Sequence, residues 1–215
     1  MLGCVIFDMD GTIADTLPLC ITCFHKSIET ISKKRLTDKE IIDTFGPSEE
    51  GTISALLPDH FEEGLDLYLK YYGALHPVMC PRPFYGIAAL FFLIKRAGVR
   101  IALVTGKGEK SLKITLRVLG LGNWFDLMET GKPEGPSKPE GIQRVLDALK
   151  ILPSEAVYVG DSPSDVLAAR KVAVPVISAA WAGTADIEDL RKQKPEQICL
   201  SVRDLIVYLR SAYGL

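Results

Sequence analysis

Short apolar, largely β-branched runs recur along this chain at Gly3 to Phe7, Arg100 to Val104, Ala156 to Val159, Val174 to Ser178 and Gln197 to Leu200. Each reads as a strand, and Phe125 to Met128 has the composition of one more. Between and after them, Ile87 to Ala97, Lys110 to Leu119, Glu140 to Leu149, Asp165 to Val172 and Asp204 to Ala212 place apolar residues three and four apart, the period of an amphipathic helix. Strands that alternate with helices predict an α/β fold, a three-layer αβα core around a parallel sheet, with ligands bound at the carboxyl ends of the strands.

One segment breaks the alternation. From Asp15 to about Arg82 the pattern is helical throughout and holds no buried strand. Its upstream border lies just after Gly11-Thr12, and Pro77, Pro81 and Pro83, which favour extended connecting chain, mark the downstream one. Residues 1–14 and 83–215 are therefore expected to form the core, and 15–82 an inserted helical cap over the strand ends like a lid.

A net charge of −2 offers no basic surface for a nucleic acid, and the short run Lys33-Lys34-Arg35 reads as a solvated helix face. The richest apolar stretch, Ile87 to Ile94, is soon followed by Lys95 and Arg96, too short for a membrane span. The start, Met1-Leu2-Gly3-Cys4, resembles no secretion signal, so a cytoplasmic location is expected. Five scattered cysteines form no disulfide framework, and Cys20 and Cys23 read as packing on one helix face.

Three clusters follow three of the strands: Asp8-Met9-Asp10-Gly11-Thr12, Thr105-Gly106-Lys107, and Gly160-Asp161-Ser162-Pro163-Ser164-Asp165. Alone, the first could be an exposed turn and the last a helix cap. Together they gather carboxylates at one sheet edge, where they repel and raise one another's pKa. A divalent cation resolves that conflict, and Asp8, Asp161 and the Asp10 backbone oxygen form a hard ligand set suited to magnesium. One carboxylate could then attack phosphorus and form an aspartyl phosphate. Gly11 and Gly106 let backbone N–H groups, that of Met9 among them, approach a phosphate, to which the Thr105 hydroxyl can donate. The cation that completes the set is Lys138 or its near-duplicate Lys132; Lys138 is favoured because it stands at the start of a helix.

Asp-x-Asp-Gly-Thr, Thr-Gly-Lys, Lys-Pro and Gly-Asp-x-x-x-Asp, in this order, resemble the four motifs of the haloacid dehalogenase superfamily. The resemblance spans the whole chain and implies a Rossmann-like core. It makes Asp8 the nucleophile, Asp10 the general acid and base, Thr105 and Lys138 the phosphate holders and Asp161 a magnesium ligand, with Asp165 orienting the metal shell or Lys138. The insertion, with Ile13-Ala14-Asp15-Thr16 at its entrance, resembles the small cap of the phosphoglycolate phosphatase-like branch. A carboxylate at Asp10 favours phosphate chemistry over dehalogenation, since a leaving oxygen needs a proton. The expected activity is magnesium-dependent hydrolysis of a small phosphorylated metabolite by a monomer or homodimer. A β-phosphoglucomutase-like mutase, an inorganic pyrophosphatase and a non-catalytic phosphate-binding regulatory module are the alternatives. The intact acidic set speaks against the last.

Within the cap, Phe45-Gly46-Pro47-Ser48-Glu49 interrupts the helical pattern and is the candidate substrate loop. Arg82 and Lys107 are further candidate contacts to an anionic substrate. His25, His60 and His76 share no ligand spacing and are expected to be solvated or packed, and Trp181 is expected to cover the sheet.

Overall fold

The computed structural model describes residues 1–215. Strands β1 (Cys4–Phe7), β2 (Arg100–Val104), β3 (Leu127–Glu129), β4 (Ala156–Gly160), β5 (Val176–Ala179) and β6 (Gln197–Cys199) form one parallel six-stranded sheet in the order β3-β2-β1-β4-β5-β6. β1 and β4 lie inside the sheet and are buried along their whole length, which is why Cys-Val-Ile-Phe and Ala-Val-Tyr-Val-Gly carry no polar alternation. The edge strands β3 and β6 are short and partly exposed.

Side chains alternate across the sheet and build two cores. Val5 and Phe7 face one layer together with Leu90, Phe91 and Ile94 of α5 (Ile87–Arg96), Leu112 and Leu116 of α6 (Glu109–Leu119) and Leu205 and Leu209 of α10 (Val202–Tyr213). Cys4 and Ile6 face the other, with Ile142, Val145 and Leu146 of α7 (Lys138–Leu149) and Val166 and Ala169 of α8 (Pro163–Lys171). This is a three-layer, Rossmann-like αβα core. Each fully buried Ile, Leu or Phe contributes about 1.5–3 kcal/mol relative to exposure.

Between β1 and α5 the chain leaves the sheet for α1 (Leu17–Ser32), α2 (Asp38–Ile42), α3 (Glu49–Leu56) and α4 (Phe61–Met79). These helices enclose their own apolar cluster, in which Phe24, Tyr68 and Tyr72 are almost wholly buried and stack in sequence. The two connections to the core run side by side: the Phe84 N–H donates to the Ile13 carbonyl at 2.9 Å.

Three local expectations change. Pro77 does not sit in extended chain but inside the last turns of α4, where the missing N–H costs one helical bond while Tyr72 and His76 are held by packing. β5 begins at Val176, two residues late, because Ala173 turns left-handed at φ 56° and Pro175 follows it. A ninth helix, α9 (Ile187–Gln193), was not expected, since only Leu190 of it is buried and seven residues leave no period to read. No helix is long and apolar enough to cross a membrane.

Candidate active site

The order of strands reverses on either side of β1, so the crevice between β1 and β4 is the topological switch point where open α/β sheets bind ligands. Asp8 directly follows β1 and Asp161 directly follows β4. They share the wall of a cavity of about 620 Å³ with Asp10, Gly106, Lys107 and Lys138 on the core side, and Phe45, Gly46, Pro47 and Glu49 on the cap side. The candidate substrate loop thus lies on the cavity. Arg82 is exposed and lies outside it.

The turn after β1 is built for close approach. Gly11 is left-handed at φ +75°, its N–H donates to the Ala14 carbonyl at 2.9 Å, and a Cβ on it would lie 2.1 Å from Asp161 Oδ2. Only glycine brings the two acidic turns this near. The Met9 side chain points into the core, and its carbonyl accepts from the Ile13 N–H at 2.9 Å, so only its backbone belongs to the site. Thr12 Oγ1 donates to Asp161 Oδ1 at 3.2 Å, and the Trp181 indole N–H donates to the Thr12 carbonyl at 3.0 Å. Trp181 therefore braces this turn from the sheet side.

Lys138 opens α7 and is the lysine that reaches the aspartates. Its ammonium donates to Asp8 Oδ2 at 2.7 Å and to Asp165 Oδ1 at 2.5 Å. Lys132 lies in the preceding loop, where its carbonyl accepts from the cap residue Ser48. Asp165 is wholly buried, and its other oxygen accepts from the Ser162 N–H at 3.0 Å and the Ser162 hydroxyl at 2.7 Å. Burial would raise the Asp165 carboxyl, but Lys138 and Ser162 outweigh it and hold it below the ordinary carboxylate range. Ser162 both caps α8 and fixes this carboxylate. The Tyr158 hydroxyl, which no motif signals, lies 3.1 Å from Asp165 Oδ1 and 2.9 Å from the Val104 carbonyl.

The fit of a cation can be tested on these groups. Asp8, Asp161 and Asp165 present oxygens within 4.8 Å of one another. Asp165 has both oxygens engaged, whereas Asp8 Oδ1 is buried with no partner. Burial pushes Asp8 up to about 6 against the pull of Lys138, and burial with the Asp165 and Asp8 charges lifts Asp161 well above the ordinary range. An orphaned carboxylate oxygen beside a second strained carboxylate fits a hard divalent cation held by Asp8 and Asp161, with Asp165 orienting from behind.

Thr105 lies under the cavity floor, 2% exposed, and its hydroxyl oxygen accepts from the Lys107 N–H at 3.2 Å, which leaves its proton free to donate. Gly106 lines the floor above it. Lys107 is buried, with its ammonium 3.1 Å from both Asp10 Oδ1 and Glu49 Oε1 and 4.7 Å from the Tyr72 ring centre. Asp10 also accepts from the hydroxyl of Thr16, at the entrance to the cap. Sequence reasoning offered Lys107 as a substrate contact and missed its pairing, because Glu49 lies 58 residues away on another unit.

Cys20 and Cys23 pack in the cap cluster. His25 meets Asp38 at 2.6 Å, His60 lies 3.6 Å from Glu63, and His76 is buried edge-on to Tyr72.

Residues 5–179 match the family model described as haloacid dehalogenase-like hydrolase. The pyrophosphatase PpaX of Halalkalibacterium halodurans is 26% identical over 211 residues, 95% of this chain and 95% of that protein. The phosphoglycolate phosphatase of Aquifex aeolicus is 28% identical over 181 residues, covering 82% of this chain and 84% of the other. In fold, the chain is similar to CbbY from Rhodobacter sphaeroides, solved in complex with phosphate, at a TM-score of 0.79 and 20% identity, over 95% of this chain and 96% of that one.

Proposed function

The chain belongs to the haloacid dehalogenase-like hydrolase family, and on that footing we propose that it is a magnesium-dependent phosphatase of small-molecule phosphate monoesters. The observation that carries this reading is the pair of aspartates on one turn, each held by its own lysine beside one cavity. We assign residues 1–14 and 83–215 to the catalytic core and 15–82 to the cap.

In this reading an Asp8 oxygen forms a bond to phosphorus as the bond to the leaving oxygen breaks, giving an aspartyl phosphate. Asp10, protonated, gives its proton to the leaving oxygen. As a carboxylate it then takes a proton from the water that attacks phosphorus, and phosphate departs with Asp8 restored. Lys138 keeps Asp8 oriented, and the Thr105 hydroxyl and the Gly106 backbone hold the phosphoryl oxygens. Magnesium, held by Asp8, Asp161 and the Asp10 carbonyl, would supply the positive charge that offsets repulsion between phosphate and carboxylates. The cap excludes water from the leaving group.

The test is turnover of p-nitrophenyl phosphate with magnesium and with excess chelator, followed by acid quench and mass spectrometry of the peptide containing Asp8. Magnesium-dependent turnover with label on Asp8 is expected. Full activity in chelator, or label on another residue, would overturn the mechanism. Pyrophosphate, the substrate in the name of the H. halodurans relative, is the second reading and belongs in the same assay.

A further inference from the structure

Where core and cap meet beside the cavity, the core holds an anion cradle that a cap side chain fills. Gly108 is the N-cap of α6, and its N–H donates to Glu49 Oε2 at 2.5 Å. Ser111 Oγ donates to Glu49 Oε1 at 2.6 Å and the Lys107 ammonium to the same oxygen at 3.1 Å. A helix N-terminus, a hydroxyl and a lysine are what a phosphate or carboxylate would seek. Here the occupant is Glu49, the first residue of α3 and only 8% exposed.

The two lysines beside the aspartates are already matched by carboxylates, and neither is free for a second anion. Three lysines line the cavity. Lys107 is matched by Asp10 and Glu49, and Lys138 by Asp8 and Asp165. Lys171 is exposed at the end of α8. Glu49 also stands one ammonium away from Asp10, the group that protonates the leaving oxygen, so the leaving group must extend past it. A carboxylate offers about four lone-pair directions, and three on Glu49 are taken. The fourth can accept from a hydroxyl.

We infer that Glu49 determines specificity: the enzyme takes phosphate monoesters of uncharged, hydroxyl-bearing alcohols and rejects leaving groups that carry a second anion. This rests on the phosphatase reading above. Phosphoglycolate and pyrophosphate, the substrates in the names of two relatives, both carry a second anionic group and fall on the rejected side.

Glycerol 3-phosphate and 3-phosphoglycerate share a three-carbon skeleton and differ by a hydroxymethyl against a carboxylate. With p-nitrophenyl phosphate as the measure of phosphatase activity itself, wild type should prefer glycerol 3-phosphate by at least about tenfold in kcat/KM, as like-charge repulsion in a half-buried site requires. Glu49→Gln and Glu49→Ala should shift that ratio toward 3-phosphoglycerate by about tenfold, mainly through a lower KM for the acid. A Glu49 that merely docks the cap would lower both substrates alike, and that outcome overturns the inference. So does a wild type that turns over p-nitrophenyl phosphate yet favours 3-phosphoglycerate, whatever the variants do. No turnover of p-nitrophenyl phosphate would instead sink the phosphatase reading, and this inference with it.

Discussion

Gly11→Ala isolates the close approach on which the acidic site depends, because the fold supplies its own control. Gly11 and Gly98 share a φ of +75°, but a Cβ at Gly98 would meet nothing within 4 Å, whereas at Gly11 it would lie 2.1 Å from Asp161 Oδ2 and 2.5 Å from Asp161 Cγ. Both alanines pay the left-handed penalty of about 1–2 kcal/mol, less what alanine removes from the entropy of the unfolded chain. Gly98→Ala should therefore lose about 1 kcal/mol, a Tm shift of about 2–4 °C for a chain of this size, with normal turnover. Gly11→Ala must in addition push the Asp161 carboxylate away by on the order of 1 Å, and misplacement on that scale costs about 10² in rate. Its demand for magnesium should rise about tenfold or more. Thermal unfolding and p-nitrophenyl phosphate turnover over a magnesium titration read both effects. If Gly11→Ala matched Gly98→Ala in turnover and in magnesium requirement, the contact between the two acidic turns would have no part in catalysis.

Asp10→Asn should leave Asp8 able to attack, so acetyl phosphate should label Asp8 and the label should persist; turnover of alkyl phosphates should fall about 10²- to 10⁴-fold. Asp8→Asn should give no label at all, and mass spectrometry after acid quench separates the two. His76 is wholly buried with neither ring nitrogen partnered, and burial lowers its pKa from the ordinary 6.5. A folded pKa below the unfolded one means that stability is intact above pH 6.5 and is lost as the pH falls toward the folded value, about 1.4 kcal/mol for each unit between them. His76→Phe should flatten urea-unfolding stability between pH 7 and pH 5; an unchanged slope would assign the acid sensitivity elsewhere.

How much of this was legible depends on distance along the chain. The parallel core follows from alternation, because buried strands and amphipathic helices each announce themselves within a few residues: all six strands, with the short β3 shifted two residues from Phe125 to Met128, and five of the core helices. In the sequence, glycine at 11 reads as a phosphate contact; its stricter role, clearance for Asp161, needs a partner 150 residues on and shows only in the fold. The choice of Lys138 over Lys132 turned on helix placement, which sequence can weigh; the contact of Lys138 with both Asp8 and Asp165 is tertiary. Tyr158 reads as one more apolar strand residue, and nothing local tells that its hydroxyl reaches Asp165. From the sequence Glu49 reads only as the end of a loop, since its partners Lys107, Gly108 and Ser111 belong to the core.

In the proposed mechanism the two lysines divide the labour of the two aspartates, and that division can be measured. Lys138 joins Asp8 to Asp165, all three within the core, so the nucleophile keeps its surroundings whether or not the cap moves. Lys107 joins Asp10 to Glu49 of the cap, so the environment of the proton carrier is complete only with the cap in place. Removing Lys107 leaves two carboxylates facing each other at a buried point, a loss of about 3–5 kcal/mol for a broken buried pair, drawn from the cap contact and not from the sheet. Lys107→Met should therefore slow the proton-dependent step far more than the attack. Across a series of aryl and alkyl phosphates, kcat/KM should fall most for the poorest leaving groups and steepen the dependence on leaving-group pKa. Lys138→Met should instead depress every substrate alike, because attack itself loses its orienting charge. An unaltered leaving-group slope in Lys107→Met, in enzyme whose thermal unfolding shows the core intact, would break the link between the cap carboxylate and the proton carrier.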